Sequence, residues 1–459
     1  MLRLWQSQCV EAALKKYSYD QSHFFCQATP GAGKTVMAAE LAKRLIEQDK
    51  VDLILCFSPS LTVAEGIKKT FAWKLGCSFN GGLGSLGVSY TYQTIRFMDD
   101  DFWRTVEKYR VFAVFDEIHH CASDEHGGSN VWGEQVLTKI QGLAKYTLAL
   151  SGTPWRSDSV PIAMAEYTDP DGQLVCDFQY GLKQAIEELV CRAPKIALVD
   201  NEHLSITEGG ERLSFSSILD LIQKSDISYQ TVIHNEDAMS YLLQSGCNKL
   251  EHIRRQSPQA GGLVVAASVK HAKSIQAMLI QKFGQSACIV TYHHESPLEE
   301  IEAFRHGDTQ WIVSVGMISE GTDIPRLQVC CHMSAVKTEL YFRQVLGRIL
   351  RVNDSPNQEA WLFTFAEESL IGFSERIEQD IPDTCLYIKQ DFDKQNTFPI
   401  NERGLLDNTE RSLSTLTQRH LVNWDDSMMP SSESTINLMS SCDELRLGQF
   451  RQRVISAFI

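Results

Sequence analysis

Ala28-Thr29-Pro30-Gly31-Ala32-Gly33-Lys34-Thr35 is the stretch that decides the fold. It follows an apolar run, His23–Gln27, and leads straight into a helix-like run, Val36–Gln48. A strand that turns through glycines into a helix at Gly-Lys-Thr has the context of a phosphate-binding P-loop. Glycines let backbone N–H groups approach phosphate oxygens, and the helix N-terminus adds its positive end. In such a loop Gly31 and Gly33 shape the cradle, Lys34 reaches the β- and γ-phosphates, and the Thr35 hydroxyl holds Mg²⁺. Ala28 stands at the first glycine of the general pattern, its least demanding position.

A second carboxylate-bearing strand completes the cradle. Val111-Phe112-Ala113-Val114-Phe115 is apolar and ends in Asp116-Glu117. Asp116 suits Mg²⁺ held through water, and Glu117 suits orientation and deprotonation of an attacking water. Alone, an acidic pair after a strand could be a solvated strand end. Up to this point a nucleotide kinase or a GTPase would satisfy the pattern equally well.

Working outward, apolar runs recur in two series. The first is His23–Gln27, Leu53–Ser58, Val111–Phe115 and Leu148–Leu150; the second is Leu263–Ala267, Ala287–Thr291, Trp311–Val315, Val329–Met333 and Trp361–Phe365. Runs that are apolar on both faces suit buried parallel strands, and the helical stretches between them, such as Ala272–Lys282, predict two α/β units.

The chain has 459 residues, 43% apolar and 22% charged, which excludes wholesale disorder and allows two or three domains. No apolar run reaches membrane-spanning length, and Met1-Leu2-Arg3-Leu4-Trp5-Gln6 lacks the pattern of a secretory signal. The thirteen cysteines include no Cys-x-x-Cys pair, which argues against a zinc ribbon or a disulfide framework. We therefore expect reduced thiols and a cytoplasmic location. Net charge is −15, of which residues 161–240 contribute −9. A local basic groove elsewhere remains compatible with that balance.

Residues 161–226 read as an acidic interdomain segment. Asp425–Ser440 reads as a loop, and Ser441-Cys442-Asp443-Glu444 resembles a capping box opening a terminal helix. Leu447, Phe450, Val454 and Phe458 would share one face of that helix, docked on the protein's own body or on a partner. The expected organisation is 1–160, 161–226, 227–400 and a small C-terminal extension, 401–459.

Further motifs narrow the choice. Asp116-Glu117-Ile118-His119-His120, Ser151-Gly152-Thr153-Pro154-Trp155-Arg156, Gly321-Thr322-Asp323 and Gln344-Val345-Leu346-Gly347-Arg348-Ile349-Leu350-Arg351 occur in that order. With the P-loop, this series resembles the motif set of superfamily-two DEAD/DEAH-like DNA helicases, in the branch similar to type III restriction subunits. The resemblance covers about residues 1–370. It implies two tandem RecA-like P-loop domains with parallel sheets and ATP, with Mg²⁺, in the cleft between them.

The resemblance also implies roles. Leu2-Arg3-Leu4-Trp5-Gln6 matches the adenine-sensing segment, with Gln6 on the base edge; the family often has Pro and Tyr where Leu4 and Trp5 stand. Arg348 and Arg351 are expected on one helix face as arginine fingers, with Gln344 one turn earlier. Ser151, Thr153 and His120 would couple nucleotide state to domain closure. Gly321 and Asp323, with Glu320, match a motif contacting ribose and the nucleic-acid strand. Pro59-Ser60, Thr91-Tyr92-Gln93-Thr94 and Ser268 fall where the family grips the sugar-phosphate backbone, and Trp155 and Arg156 suit stacking or phosphate contact. A metal role for His119-His120 has no third ligand to support it.

The expectation is an ATP hydrolase that steps along nucleic acid, with DNA rather than RNA resting on the subgroup resemblance alone. The alternative is an ATP-gated scaffold or partner-controlled ATPase subunit of a nucleic-acid-processing or defence complex. A metabolic P-loop kinase leaves the second strand series and Gln344–Arg351 unexplained. No nuclease constellation is evident, so any cutting would come from a protein partner.

Overall fold

The computed structural model describes residues 2–118, 139–152, 166–167, 174–208, 211–291, 297–316, 322–378 and 444–456. The first sheet contains β1 (His23–Ala28), β2 (Leu53–Ser58), β3 (Gly87–Thr91), β4 (Val111–Asp116) and β5 (Tyr146–Ser151). A two-stranded pair, β6 (Glu166–Tyr167) and β7 (Leu174–Val175), precedes β8 (Phe178–Tyr180), which joins β1. The order is β3-β2-β4-β5-β1-β8, and every pairing in it is parallel.

The alternating strand residues explain why these runs are apolar throughout. Phe24, Ile54, Phe112 and Leu148 face a core shared with α1 (Leu4–Ser18), α2 (Lys34–Glu47) and α3 (Leu61–Leu75). Their neighbours Phe25, Leu55, Ala113 and Ala149 face a second core, under α4 (Asp100–Lys108). A sheet covered on both sides needs apolar residues in both phases of the pleat. β3 carries the weaker pattern Gly-Val-Ser-Tyr-Thr because it is an edge strand.

The second sheet contains β9 (Pro194–Glu202), β12 (Gly261–Ala266), β13 (Ala287–Val290), β14 (Trp311–Ser314), β15 (Leu327–Met333), β16 (Ala360–Phe365) and β18 (Gln449–Ser456). Its order is β13-β14-β12-β15-β16-β9-β18, and only β18 runs antiparallel. A small antiparallel sheet, β11-β10-β17, is built from β10 (Leu204–Glu208), β11 (Glu211–Phe215) and β17 (Glu444–Arg446). The remaining helices are α5 (Leu182–Glu187), α6 (Ile218–Lys224), α7 (Tyr229–His234), α8 (Glu236–Arg254), α9 (Val269–Gln281), α10 (Pro297–His306), α11 (Glu339–Ile349) and α12 (Glu368–Glu378). Both expected α/β units are present. No helix among the described residues is long and apolar enough to cross a membrane.

Two expectations are corrected. Residues 161–226 are not a separate interdomain segment: β8 belongs to the first sheet and β9 to the second. The change of sheet therefore falls between Tyr180 and Pro194, not at 226. Ile196-Ala197-Leu198-Val199 is a buried strand core whose apolar run was masked by the acidic residues around it. The C-terminal residues also do not form a helix over the described span. Glu444–Arg446 and Gln449–Ser456 are strands, and β18 pairs along the whole of β9 from Glu202 to Lys195. The helical spacing of Leu447, Phe450 and Val454 competes here with the open edge of β9, whose N–H and C=O groups need partners. Phe450 stacks on Tyr241 with centroids 4.3 Å apart, Ile455 is buried, and Arg451 pairs with Asp200 and Glu202. Phe458 and 441–443 lie outside the described residues.

Deleting residues from 444 onward is expected to lower the melting temperature by roughly 5–10 °C, because an edge strand of the second sheet is lost. Calorimetry checks this; an unchanged melting temperature would show that β18 contributes nothing.

Candidate nucleotide site

The parallel registers bring the strand ends that matter to one edge. Ser58 lies beside Thr91, Asp116 beside Leu150, and Gln27 beside Ser151. The loops that follow these strands open on a cleft at the C-terminal edge, where open α/β sheets bind ligands.

The loop after β1 has the two left-handed glycines that the motif requires. Gly31 has φ 83° and Gly33 φ 91°. A Cβ on Gly33 would sit 2.8 Å from Gln6 Nε2. α2 begins directly at Lys34, so its N-terminal N–H groups face the loop. Lys34 Nζ donates to Ala28 O at 3.2 Å and lies 3.0 Å from Glu117 Oε1. Glu117 Oε2 accepts from the Gly152 N–H at 3.1 Å. Glu117 itself has φ 50°, an uncommon value for a residue with a side chain and one that recurs at functional sites. Asp116 is buried at the end of β4.

The N-terminal segment clasps this loop from outside. Gln6 is buried; its Nε2 donates to Gly33 O at 3.0 Å and its Oε1 accepts from the Arg3 N–H at 2.8 Å. Arg3 Nη1 donates to Ala32 O at 2.7 Å. Trp5 packs beneath, stacked on Tyr180 at 4.8 Å. Sequence reasoning singled out Gln6 but missed Arg3, whose signal was only its place three residues earlier. Tyr92, expected with Thr91 and Gln93 on the nucleic-acid strand, donates its hydroxyl to Asp116 O at 2.8 Å.

The second domain supplies the opposite wall. Gly347 on α11 lies so close to the P-loop that a Cβ there would be 2.7 Å from Pro30 Cβ. Gln344 is buried and Arg348 lies one turn later on the same helix; Arg348 Nη1 donates to Thr322 O at 2.8 Å. Arg351 does not share that helix face, as the spacing predicted, because α11 ends at Ile349 and Leu350 caps it. It sits instead in a β-bridge with Cys191, pairs with Asp323, and has Cγ 3.4 Å from where a Cβ on Gly31 would be. The bridge turns Arg351 back to the same cleft by a different route.

The result is a cavity of about 430 Å³ lined by Lys34, Thr35, Asp116 and Glu117 from the first domain and by Asp323, Gln344, Arg348 and Arg351 from the second. Arg3 and Gly33 also line it. The density of cations is felt at the Cys191 thiol: burial pushes it up to about 11, against the pull of Arg3, Arg351 and Lys34. A nucleotide triphosphate fits this donor set. Lys34, Arg348, Arg351 and the α2 N-terminus match its negative charge, and Thr35 with Asp116 offers the hard oxygens that Mg²⁺ prefers.

The residues expected on nucleic acid divide. Ser60 and Ser268 cap helices, accepting from Val63 N–H at 3.4 Å and His271 N–H at 3.1 Å. Thr91 is buried and bonded to Thr94 at 2.9 Å, so its hydroxyl serves the loop rather than the surface. Gln93 is exposed one strand away from Ser60. Ser151 is buried at the end of β5. His119, His120, Thr153, Trp155, Arg156, Glu320 and Gly321 lie outside the described residues.

Comparison with known proteins agrees with this geometry. Residues 1–156 match the family model of the type III restriction enzyme res subunit, and residues 246–353 match that of the helicase conserved C-terminal domain. An uncharacterized protein of Mycobacterium tuberculosis is 27% identical over 394 residues, covering 82% of this chain and 63% of that protein. The chain thus spans a little under two thirds of that relative's length. The DNA 3'-5' translocase XPB2 of Sulfurisphaera tokodaii is 24% identical, covering 77% of this chain and 79% of that protein. In fold, the chain resembles the ATP-dependent Type ISP restriction-modification enzyme LlaBIII bound to DNA, with a TM-score of 0.53, 15% identity, and coverage of 80% of this chain and 28% of that one. With two family models matched in tandem on two parallel-sheet domains, the chain is a superfamily-two helicase-like protein with tandem RecA-like domains.

Proposed function

We propose that this protein hydrolyses ATP between its two domains and uses the cycle to move along DNA. The single observation that carries the reading is the cleft where Lys34, Thr35, Asp116 and Glu117 of one domain face Gln344, Arg348 and Arg351 of the other. A site divided between two domains makes nucleotide contact and domain closure the same event.

Lys34 and the α2 N-terminus bind the β- and γ-phosphates. Thr35 and Asp116 hold Mg²⁺, which offsets phosphate charge when bound. Lys34 now lies against Glu117. A γ-phosphate competes for Lys34, and Glu117 then turns to the attacking water, accepts its proton, and keeps its orientation through the Gly152 N–H. Arg348 and Arg351 leave Thr322 O and Asp323 for the γ-phosphate and stabilise the charge of the transition state. Gln6, held to Gly33 O, links the adenine side to the cradle. Asp323 carries the ribose contact once Arg351 has moved. Ser151, with Thr153 and His120, couples these changes to closure.

DNA as the track is supported by the translocase among the relatives and by the restriction enzyme among the folds. Ser60, Gln93 and Ser268 follow the C-terminal ends of β2, β3 and β12, and small polar groups there position phosphates without reading sequence. The motif resemblance assigns Trp155 and Arg156 to the same nucleic-acid strand.

The test is ATP turnover at low salt with no nucleic acid, single-stranded DNA, duplex DNA, forked DNA or RNA, with Lys34→Ala as the blank. Low salt is chosen because backbone contacts weaken steeply with added ions. The expected result is stimulation by one DNA form. Turnover that ignores every nucleic acid would sink the motor and favour an ATPase governed by a protein partner, such as a nuclease. A strand-displacement assay then separates unwinding from translocation.

A further inference from the structure

Arg192 stands at the end of the connection between the two sheets, just before β9, and its side chain is only 2% exposed. A guanidinium has five N–H donors, and all five of these are used. Nε donates to Gln358 Oε1 at 3.0 Å; Nη1 donates to Leu327 O at 2.8 Å and Ile349 O at 3.2 Å; Nη2 donates to Pro325 O at 3.2 Å and Asn353 Oδ1 at 2.9 Å. The Arg192 backbone N–H adds a bond to Leu350 O at 2.7 Å. Every acceptor is a carbonyl or amide oxygen and none is a carboxylate.

Burying a cation without an ion pair is costly, and burial lowers this guanidinium to about 10. An apolar side chain would fill the space at less cost. What the guanidinium supplies is direction: its planar fork fixes three chain segments relative to one another. One is the interdomain connection, another is 325–327, and the third is 349–358. The last two adjoin the second-domain residues that line the cleft, Asp323 on one side and Arg348 and Arg351 on the other. The cation also sits at the C-terminal end of α11, where the helix carbonyls favour positive charge. Through the adjacent Cys191, whose Sγ lies 3.7 Å from Pro30 O, the same connection touches the P-loop.

We propose that Arg192 is the positioning residue for the arginine fingers: it locks the end of α11 to the loop bearing Asp323, so that Arg348 and Arg351 reach the cleft and move with the interdomain connection. The catalytic part of this statement rests on the ATPase reading above; the ordering part does not.

The test uses the full chain with Arg192→Lys, which keeps the charge but replaces a fixed fork of five donors by three rotatable ones. Steady-state ATP hydrolysis and amide hydrogen exchange are both measured. The expected result is a kcat at least tenfold lower with KM for ATP changed less than threefold. Exchange at 322–327 and 349–353 should be at least tenfold faster, with β1, β4 and β5 unchanged. A purely structural role would instead speed exchange across the second sheet and leave kcat per folded molecule intact. Should Arg192→Lys fail to fold, Asn353→Ala removes a single acceptor and is expected to shift kcat and local exchange in the same direction, threefold or more. Unchanged exchange in the two segments overturns the proposal, as does unchanged kcat in a folded variant of an active enzyme. Absence of turnover in the unmodified chain defeats the ATPase reading and with it the catalytic part, while the exchange result still decides whether Arg192 orders these segments.

Discussion

Glu117→Gln is expected to lower ATP turnover by ~10²–10⁴-fold, the contribution typical of a positioned general base, while ATP binding changes by less than about threefold. The argument is geometric. The amide keeps the size of the side chain and can still accept from the Gly152 N–H, which Glu117 Oε2 meets at 3.1 Å. It cannot take a proton from water at neutral pH. The lost ion pair with Lys34, 3.0 Å in this structure, is one that nucleotide binding would break in any case, so binding is not expected to suffer. Single-turnover hydrolysis and equilibrium binding of a fluorescent ATP analogue separate the two quantities. A Glu117→Gln enzyme with full turnover would remove Glu117 from the role of base.

Arg351→Ala is expected to lower kcat by ~10³–10⁵-fold if Arg351 acts as an arginine finger, with a smaller effect on ATP affinity. Arg351 faces the cavity from beyond the end of α11 and is held by Asp323. Since the Asp323 side chain is 70% exposed, this pair is weak and yields readily to a phosphate. Arg351→Lys should not restore turnover, because an ammonium lacks the planar fork that meets two phosphate oxygens at once. Arg348→Ala should behave similarly. Equal kcat and KM for Arg351→Ala and the unmodified protein would mean that Arg351 serves only the Cys191 bridge and the Asp323 pair. Measurement of both constants across the ATP range decides this.

How far the site could be read in advance depends on the kind of constraint. Gly31, Gly33, Lys34 and Thr35 are contiguous, and their roles follow from local geometry: two left-handed turns and a helix start. Asp116 and Glu117 were legible only together with the P-loop, since an acidic pair ending an apolar strand is by itself a weak signal. Arg3 was not legible, because its bond to Ala32 O spans 29 residues of sequence and depends on how α1 lies over the loop. The bond from Tyr92 to Asp116 O was hidden in the same way, since it joins the ends of β3 and β4, which β2 separates in the sheet. Ser60 and Ser268 show the opposite case: the motif positions suggest phosphate contacts, while the structure gives both hydroxyls a local task as helix caps.

The sequence by itself determined the two α/β units, the phosphate cradle and the order of the motifs, because each depends on neighbours in the chain: strand alternation, helix starts and glycine turns. Only the tertiary structure decided three other things. It assigned the apolar heart of the acidic segment to the second sheet, since β16 offered an open edge beside it. It made the C-terminal residues a strand rather than a helix, since β9 then offered the next edge and unpaired backbone groups outweigh a weak helical spacing. It brought Arg351 to the cleft from beyond the end of a helix, with Arg192 holding the segments behind it. These outcomes depend on partners more than a hundred residues away, and a local pattern carries no record of them.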